Sequence, residues 1–202
     1  MRTPVHVCAG WAAAAQGSHR VAEGSMETVT INRAPVLTLW AAVVAERLGF
    51  DHDEALTLGK AVAGLTAQSK GQRLGLFTPS PAEVRRKRAE KAREAGVFSV
   101  ALLGRAVPVL HTDDGLRAVS RDQKPVTPEG VEKYLESKFG EALPAVRAAM
   151  VKLATSRAPE GLVDEAFRLY EQFRPGVPAG ESGWGAKGTL SLQKIQALAE
   201  KQ

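Results

Sequence analysis

The clearest structural signal lies in residues 35–65, which read PVLTLWAAVVAERLGFDHDEALTLGKAVAGL. Apolar residues cover most of the circumference of a helix from Pro35 to Leu48, which is typical of a buried helix. Gly49 ends this helix, and Asp51 offers an N-cap for a second one with two acidic residues in its first turn. Apolar residues then recur at spacings of three and four. The stretch therefore predicts a helical hairpin.

The predicted hairpin resembles a helix-turn-helix over about 20 residues, because small, apolar and glycine positions around Gly49 fall where that motif has them. The second helix would then present Asp51, Asp53 and Glu54 where a recognition helix meets phosphates. Carboxylates there would repel a nucleic-acid backbone, so an ordinary helical hairpin is the preferred interpretation. Gly59 and the glycine at 64 weaken the second helix and indicate close packing against the first.

The chain on either side of the hairpin predicts a mainly α, α+β fold. The β-branched residues 28–31 indicate a short strand before the hairpin. Ser80, Pro81 and Glu83 match a capping box, which predicts a basic helix over 81–95. Three short strands are expected next, followed by a helical C-terminal segment. The strands are predicted at 97–103, 106–111 and 116–119, and the helices at 127–139, 141–155, 159–173 and 191–199.

The β-hairpin carries two further predictions. Its first two strands are expected to join at Gly104-Arg105, because glycine suits the first position of a tight turn. Pro108 has no N–H to give to a ladder, so the second strand is expected at an edge of the sheet.

The domain organisation follows from a change in character near residue 26. We expect residues 1–26 to be a disordered tail, or the protein to start at Met26 rather than Met1. Residues 27–202 are expected to form a single α+β domain with a candidate internal boundary near 122–126. One cysteine, Cys8, excludes an internal disulfide, and no stretch approaches the roughly 18 apolar residues of a membrane helix. We therefore expect a cytoplasmic protein without a membrane partner.

The positive charge of the chain is concentrated in one segment. The formal net charge is +5 over 202 residues, and residues 110–202 carry 13 basic and 13 acidic side chains. Residues 70–93 hold eight basic side chains against two acidic ones, a local net charge of +6. Such a segment attracts phosphates or an acidic surface. The eight basic residues, called the basic segment below, are Lys70, Arg73, Arg85, Arg86, Lys87, Arg88, Lys91 and Arg93.

Three interpretations of the basic segment are open at this stage. The preferred one is a non-enzymatic binding protein that contacts the phosphates of DNA or RNA without strong sequence specificity. The second is a protein–protein adaptor, in which helix 81–95 docks on an acidic partner or on another copy. The third is a plain solvated helix laced by the intrahelical pairs Glu83–Lys87 and Glu90–Arg86.

A glycine-rich loop over residues 180–188 is the weaker candidate site. Gly183, Gly185 and Gly188 match the spacing G-x-G-x-x-G, yet they follow a helix and a Pro/Gly loop rather than a strand. A flexible loop anchored by a buried Trp184 is preferred over a small phosphate-ligand site that would use Lys187.

The sequence carries no assembled catalytic or metal-binding motif. His111 with its two neighbouring aspartates is explained by a strand end and a turn, and the four histidines show no metal-binding spacing. We therefore expect no cofactor and no metal, and an enzyme is not favoured.

Overall fold

The described residues are mainly helical with some β-structure, as the sequence predicts, and their strands form two small antiparallel sheets. The computed structural model describes residues 28–180 and 185–201. The predictions for the tail 1–26, for Cys8 and for Trp184 therefore lie outside the described residues. The elements are β1 (Thr28–Ile31), α1 (Arg33–Arg47), α2 (His52–Arg73), α3 (Ala82–Glu94), β2 (Phe98–Leu102), β3 (Arg105–Thr112), β4 (Gly115–Ala118), α4 (Pro128–Phe139), a 3-10 turn (Gly140–Ala142), α5 (Leu143–Thr155), α6 (Pro159–Phe173), β5 (Gly188–Ser191) and α7 (Leu192–Glu200).

Helix α1 lies at the centre of the hydrophobic core. Every residue from Pro35 to Ala45 is buried, and α1 contacts α2, α4, α5 and α6. Trp40 is fully buried, and its indole Nε1 donates a hydrogen bond to the Ala166 carbonyl at 2.8 Å. Its ring meets Phe173 edge-to-face, with 5.4 Å between centroids. The all-round apolar pattern of this helix therefore reflects contacts on all its sides.

The predicted turn between α1 and α2 forms as expected. Gly49 adopts φ +100°, a left-handed conformation that suits glycine. The Asp51 carboxylate accepts from the Glu54 amide at 2.8 Å, and the Glu54 side chain accepts from the Asp51 amide at 3.3 Å. This reciprocal capping box sets the first residue of α2.

The two glycines of α2 have different roles. A β-carbon at Gly59 would overlap the Thr38 carbonyl oxygen and lie 2.9 Å from the Ala42 nitrogen of α1. Gly64 has open space where a β-carbon would stand. The prediction of close packing is therefore confirmed at Gly59 and is wrong at Gly64.

The two-stranded sheet joins distant parts of the chain. Strand β1 pairs with β5 in an antiparallel register that places Thr28 opposite Ser191 and Ile31 opposite Gly188. The sequence predicts β1 but treats Gly188 as part of a loop, which is wrong. Gly188 is buried, and a β-carbon there would lie 2.6 Å from the Gly176 carbonyl oxygen. This close backbone approach explains a glycine in a strand.

The three-stranded sheet has the order β2-β3-β4, and it corrects two predictions. The turn residues are Leu103 and Gly104, both with positive φ, so the turn lies one residue earlier than Gly104-Arg105. Strand β3 is central, so the prediction of an edge strand is wrong. Antiparallel pairs alternate between hydrogen-bonded and non-hydrogen-bonded types. Counted from the turn, Pro108 pairs with Ser99 at a position of the second type, where β2 needs no N–H from it. On the other side β4 ends at Ala118, and the Pro108 carbonyl accepts from the Val119 amide at 2.8 Å.

We predict opposite effects for alanine at the two glycines of α2. Gly59→Ala forces α1 and α2 apart and lowers the free energy of unfolding by about 1–3 kcal/mol. Gly64→Ala raises it by about 1 kcal/mol, because alanine favours the helix and meets no neighbour. Chemical denaturation followed by circular dichroism measures both values. A Gly59→Ala protein as stable as the wild type would contradict this contact.

Candidate nucleic-acid interface

Helix α3 lies on the surface of the protein. It has no buried residue, and all its residues except Ala92 are exposed. Apart from Val84 it carries alanines and charged side chains, so it has too little apolar surface to enter the core. The helix ends at Glu94, and Gly96 follows two residues later with φ +76°, a conformation that suits glycine just beyond a helix.

The start of α3 differs from the prediction. Pro81 takes the N-cap position in an extended conformation, and no side chain caps the helix. The expected capping box with Ser80 as N-cap is therefore wrong. Because the helix begins at Ala82, Ser80 stands one residue too far back to accept from its first free amides. Glu83 still occupies the first turn, where a carboxylate favours the positive end of the helix.

All eight side chains of the basic segment are exposed. Lys70 and Arg73 lie in the last turns of α2, and the other six lie on α3. The expected pair Glu83–Lys87 forms, with 3.1 Å between Lys87 Nζ and a Glu83 carboxylate oxygen. The expected pair Glu90–Arg86 does not form. Within the part of the chain that the structure describes, seven of the eight basic side chains have no ion pair.

The six basic residues of α3 point in many directions. At 100° per residue, the four consecutive positions from Arg85 to Arg88 go almost once around the helix axis. Lys91 and Arg93 add charge on two sides of the following turn. The result is a positively charged rod rather than a single charged face. Such a rod meets phosphates without requiring one orientation.

A glutamine from a distant loop holds α3 at its middle. Gln123 Nε2 donates to the Arg88 carbonyl at 2.8 Å. Gln123 itself has φ +60°, and its amide donates to the Ser120 carbonyl at 2.9 Å. The Ser120 amide donates to the Lys124 carbonyl at 2.8 Å, so the loop has a defined shape. Sequence reasoning missed Gln123, because nothing in the pattern links it to a helix 35 residues earlier.

The acidic start of α2 is used inside the fold. Glu54 Oε1 accepts from the Leu116 amide at 2.8 Å, and Thr57 Oγ1 accepts from the Ala118 amide at 3.1 Å. The Asp53 carboxylate lies 3.5 Å from the guanidinium of the buried Arg117. This end of α2 covers the outer edge of β4. Asp51, His52 and Asp53 at the very start of α2 remain exposed, while Glu54 and Thr57 bind the edge of β4.

The glycine-rich loop is described only in part. Gly183 lies outside the described residues, while Gly185 and Lys187 are exposed and Gly188 belongs to β5. A glycine is needed at 188 because its backbone packs closely against that of Gly176. A phosphate site using Lys187 stays a prediction.

Two polar clusters elsewhere were not anticipated. Arg147 Nη2 donates to both carboxylate oxygens of Glu46 at 2.7 and 2.8 Å, and His52 Nδ1 lies 2.7 Å from the same carboxylate. Lys60 Nζ lies 3.4 Å from the centre of the Tyr134 ring. Burial, together with the nearby charge of Lys138, lowers the pKa of Lys60, and burial raises the pKa of Tyr134. These clusters join α1, α2, α4 and α5 to one another.

The described residues contain neither a metal-binding cluster nor a membrane-spanning helix. Within residues 28–180 and 185–201, no group of three or more candidate ligand side chains is placed to hold a metal ion. Over the same residues, no helix has the length and apolar character needed to span a bilayer.

The comparisons with known proteins found no match to this chain. No protein-family model matches the chain, and neither a curated protein nor a solved structure is significantly similar to it.

We predict that Gln123→Ala loosens α3 without changing the core. The substitution removes the hydrogen bond to the Arg88 carbonyl, so the amides of 82–94 should exchange hydrogen faster. Hydrogen exchange measured by mass spectrometry checks this, with Gln193→Ala on the exposed face of α7 as the matched control. Unchanged exchange in α3 would show that other contacts hold the helix.

Proposed function

We propose that this protein is a non-enzymatic nucleic-acid-binding protein whose basic segment contacts phosphates with little sequence reading. The observation that carries the proposal is the exposure of all eight basic side chains, seven of which have no ion pair with a described residue. Unpaired surface charge at this density attracts a polyanion. Five of the eight are arginines, which contact phosphate oxygens in bidentate fashion.

The composition of α3 favours phosphate contacts over base recognition. The helix has no aromatic side chain to stack on bases, and none of the amide side chains that read base edges. Its charges surround the axis, so no single row of side chains would lie along a groove. Binding through α3 should therefore depend on charge and salt more than on sequence.

We predict that replacing Arg85, Arg86 and Arg88 together by alanine weakens binding to every probe sequence. Each lost phosphate contact makes the dependence of log affinity on log salt less steep by about 0.9 on a duplex and about 0.7 on a single strand. Fluorescence anisotropy with labelled DNA and RNA at several salt concentrations measures both the affinity and this slope.

The matched control removes the same charge elsewhere. Lys133, Lys194 and Lys201 are exposed, lie outside the basic segment and form no ion pair with a described residue. Their triple alanine variant should keep most of the salt slope of the wild type. If the wild-type protein fails to bind at low salt, or if both triple variants lose the same affinity, the proposal is wrong.

A protein–protein adaptor is the second candidate, and exposed apolar residues beside the basic helix favour it. Leu74 and Leu76 are 60% and 59% exposed, and Val84 on α3 is 39% exposed. Apolar side chains next to basic ones suit an acidic protein surface or another copy of this chain.

If the protein is an adaptor that binds another copy of itself, we predict that Leu74 and Leu76 contribute to this association. Replacing Leu74 and Leu76 by serine should shift the protein toward monomer in sedimentation velocity, at a salt concentration high enough to screen the basic segment. Val163→Ser, at a 46% exposed position on α6, is the control. A wild-type protein that stays monomeric at every concentration would rule out association with another copy.

A further inference from the structure

A polar groove adjoins the α2 part of the basic segment. It lies between the C-terminal half of α2 and the turn that joins β2 to β3, and its volume is about 350 Å³. The groove is shallow and largely open to solvent, so it would contact a ligand on one side rather than enclose it. The residues that line it are Leu65, Gln68, Ser69, Gln72, Gly104, Arg105 and Ala106.

The α2 wall of the groove is one stripe of the helix. Its four residues occupy positions i, i+3, i+4 and i+7 of the helix, so their side chains share one face. They are Leu65, Gln68, Ser69 and Gln72. Gln68, Ser69 and Gln72 are exposed, and no hydrogen bond holds their side chains to the part of the protein that the structure describes. Their donors and acceptors therefore face the groove or solvent.

The opposite wall is held by a tight turn. Leu103 and Gly104 have φ values of +48° and +69°, which match a two-residue hairpin turn. Leu103 is 4% exposed, so its side chain anchors the turn in the core. Arg105 follows directly, half-buried and without an ion pair to any described residue. The groove thus has a fixed wall carrying one guanidinium.

The chemistry of these walls fits a nucleobase. Glutamine amides offer a donor and an acceptor together, as base edges require, and a guanidinium binds phosphate or stacks on a base. Leu65 supplies an apolar patch for a ring. Lys70 and Arg73 lie on the same turns of α2 as Ser69 and Gln72, so phosphates next to the base would meet positive charge.

We propose that the groove receives an unpaired base of a single-stranded nucleic acid whose phosphates lie on the basic segment, an inference that rests on the proposed function. A base inside a duplex is paired and stacked, so it would have to be unpaired and unstacked at a cost in free energy before it could enter the groove. The protein should accordingly prefer a single strand to a duplex of the same sequence.

The test uses a labelled single-stranded oligonucleotide and the duplex that it forms with its complement. Gln68→Ala with Gln72→Ala should weaken binding to the single strand by about tenfold and leave binding to the duplex nearly unchanged. The salt slope should stay at the wild-type value, because no phosphate contact is removed. Gln193→Ala with Gln196→Ala, at exposed positions of α7, is the matched control.

The outcomes separate this inference from the proposed function. The variant with Gln68→Ala and Gln72→Ala is called the groove variant. If the wild-type protein binds both probes and the groove variant binds them with the same affinity, the groove is not a base site. The phosphate-binding proposal then stands. If the groove variant weakens both probes equally, the groove contacts backbone rather than a base, and the inference is wrong. If the wild-type protein binds neither probe at low salt, both proposals fail. Circular dichroism of each variant establishes that it is folded.

Discussion

The close contact between α1 and α2 at Gly59 is the constraint on which the rest of the structure depends. The contact is close because residue 59 has no side chain, and it presses α2 against a helix that is itself buried on all sides. With α2 in this position, the side chains of Glu54 and Thr57 near its start accept hydrogen bonds from the amides of β4. These bonds hold the three-stranded sheet against α2. Its last turns, which carry Lys70 and Arg73, lie at the surface.

The separation of core and charge follows from this arrangement. The hydrophobic core takes side chains from β1 to α7 but none from α3, whose composition gives it nothing to bury. Charged side chains are costly to remove from water, so the basic helix stays outside the core, with a hydrogen bond from the Gln123 amide at its middle. A helix of this kind contributes little to stability, so stability places few demands on its composition.

The sequence predicted the helices closely but missed features that depend on distant residues. The apolar pattern of α1, the Asp51 N-cap and the glycine at 49 that ends the first helix are local signals, and the structure confirms them. Strand β5 was missed because its partner β1 lies about 160 residues away and its four residues show no clear alternation. Pro108 was misplaced at an edge, because the sequence does not show which strand positions lack a hydrogen bond.

The sequence by itself determined the mainly α fold, the helical hairpin and the position of the positive charge, because helix periodicity, capping and net charge are properties of neighbouring residues. The tertiary structure alone decided which glycine meets α1, which side chains complete the edge of β4, and where a groove opens beside the basic segment. Each of those features joins residues that are far apart in the chain. Their contacts arise when the core forms, since burial brings together segments that no local pattern connects.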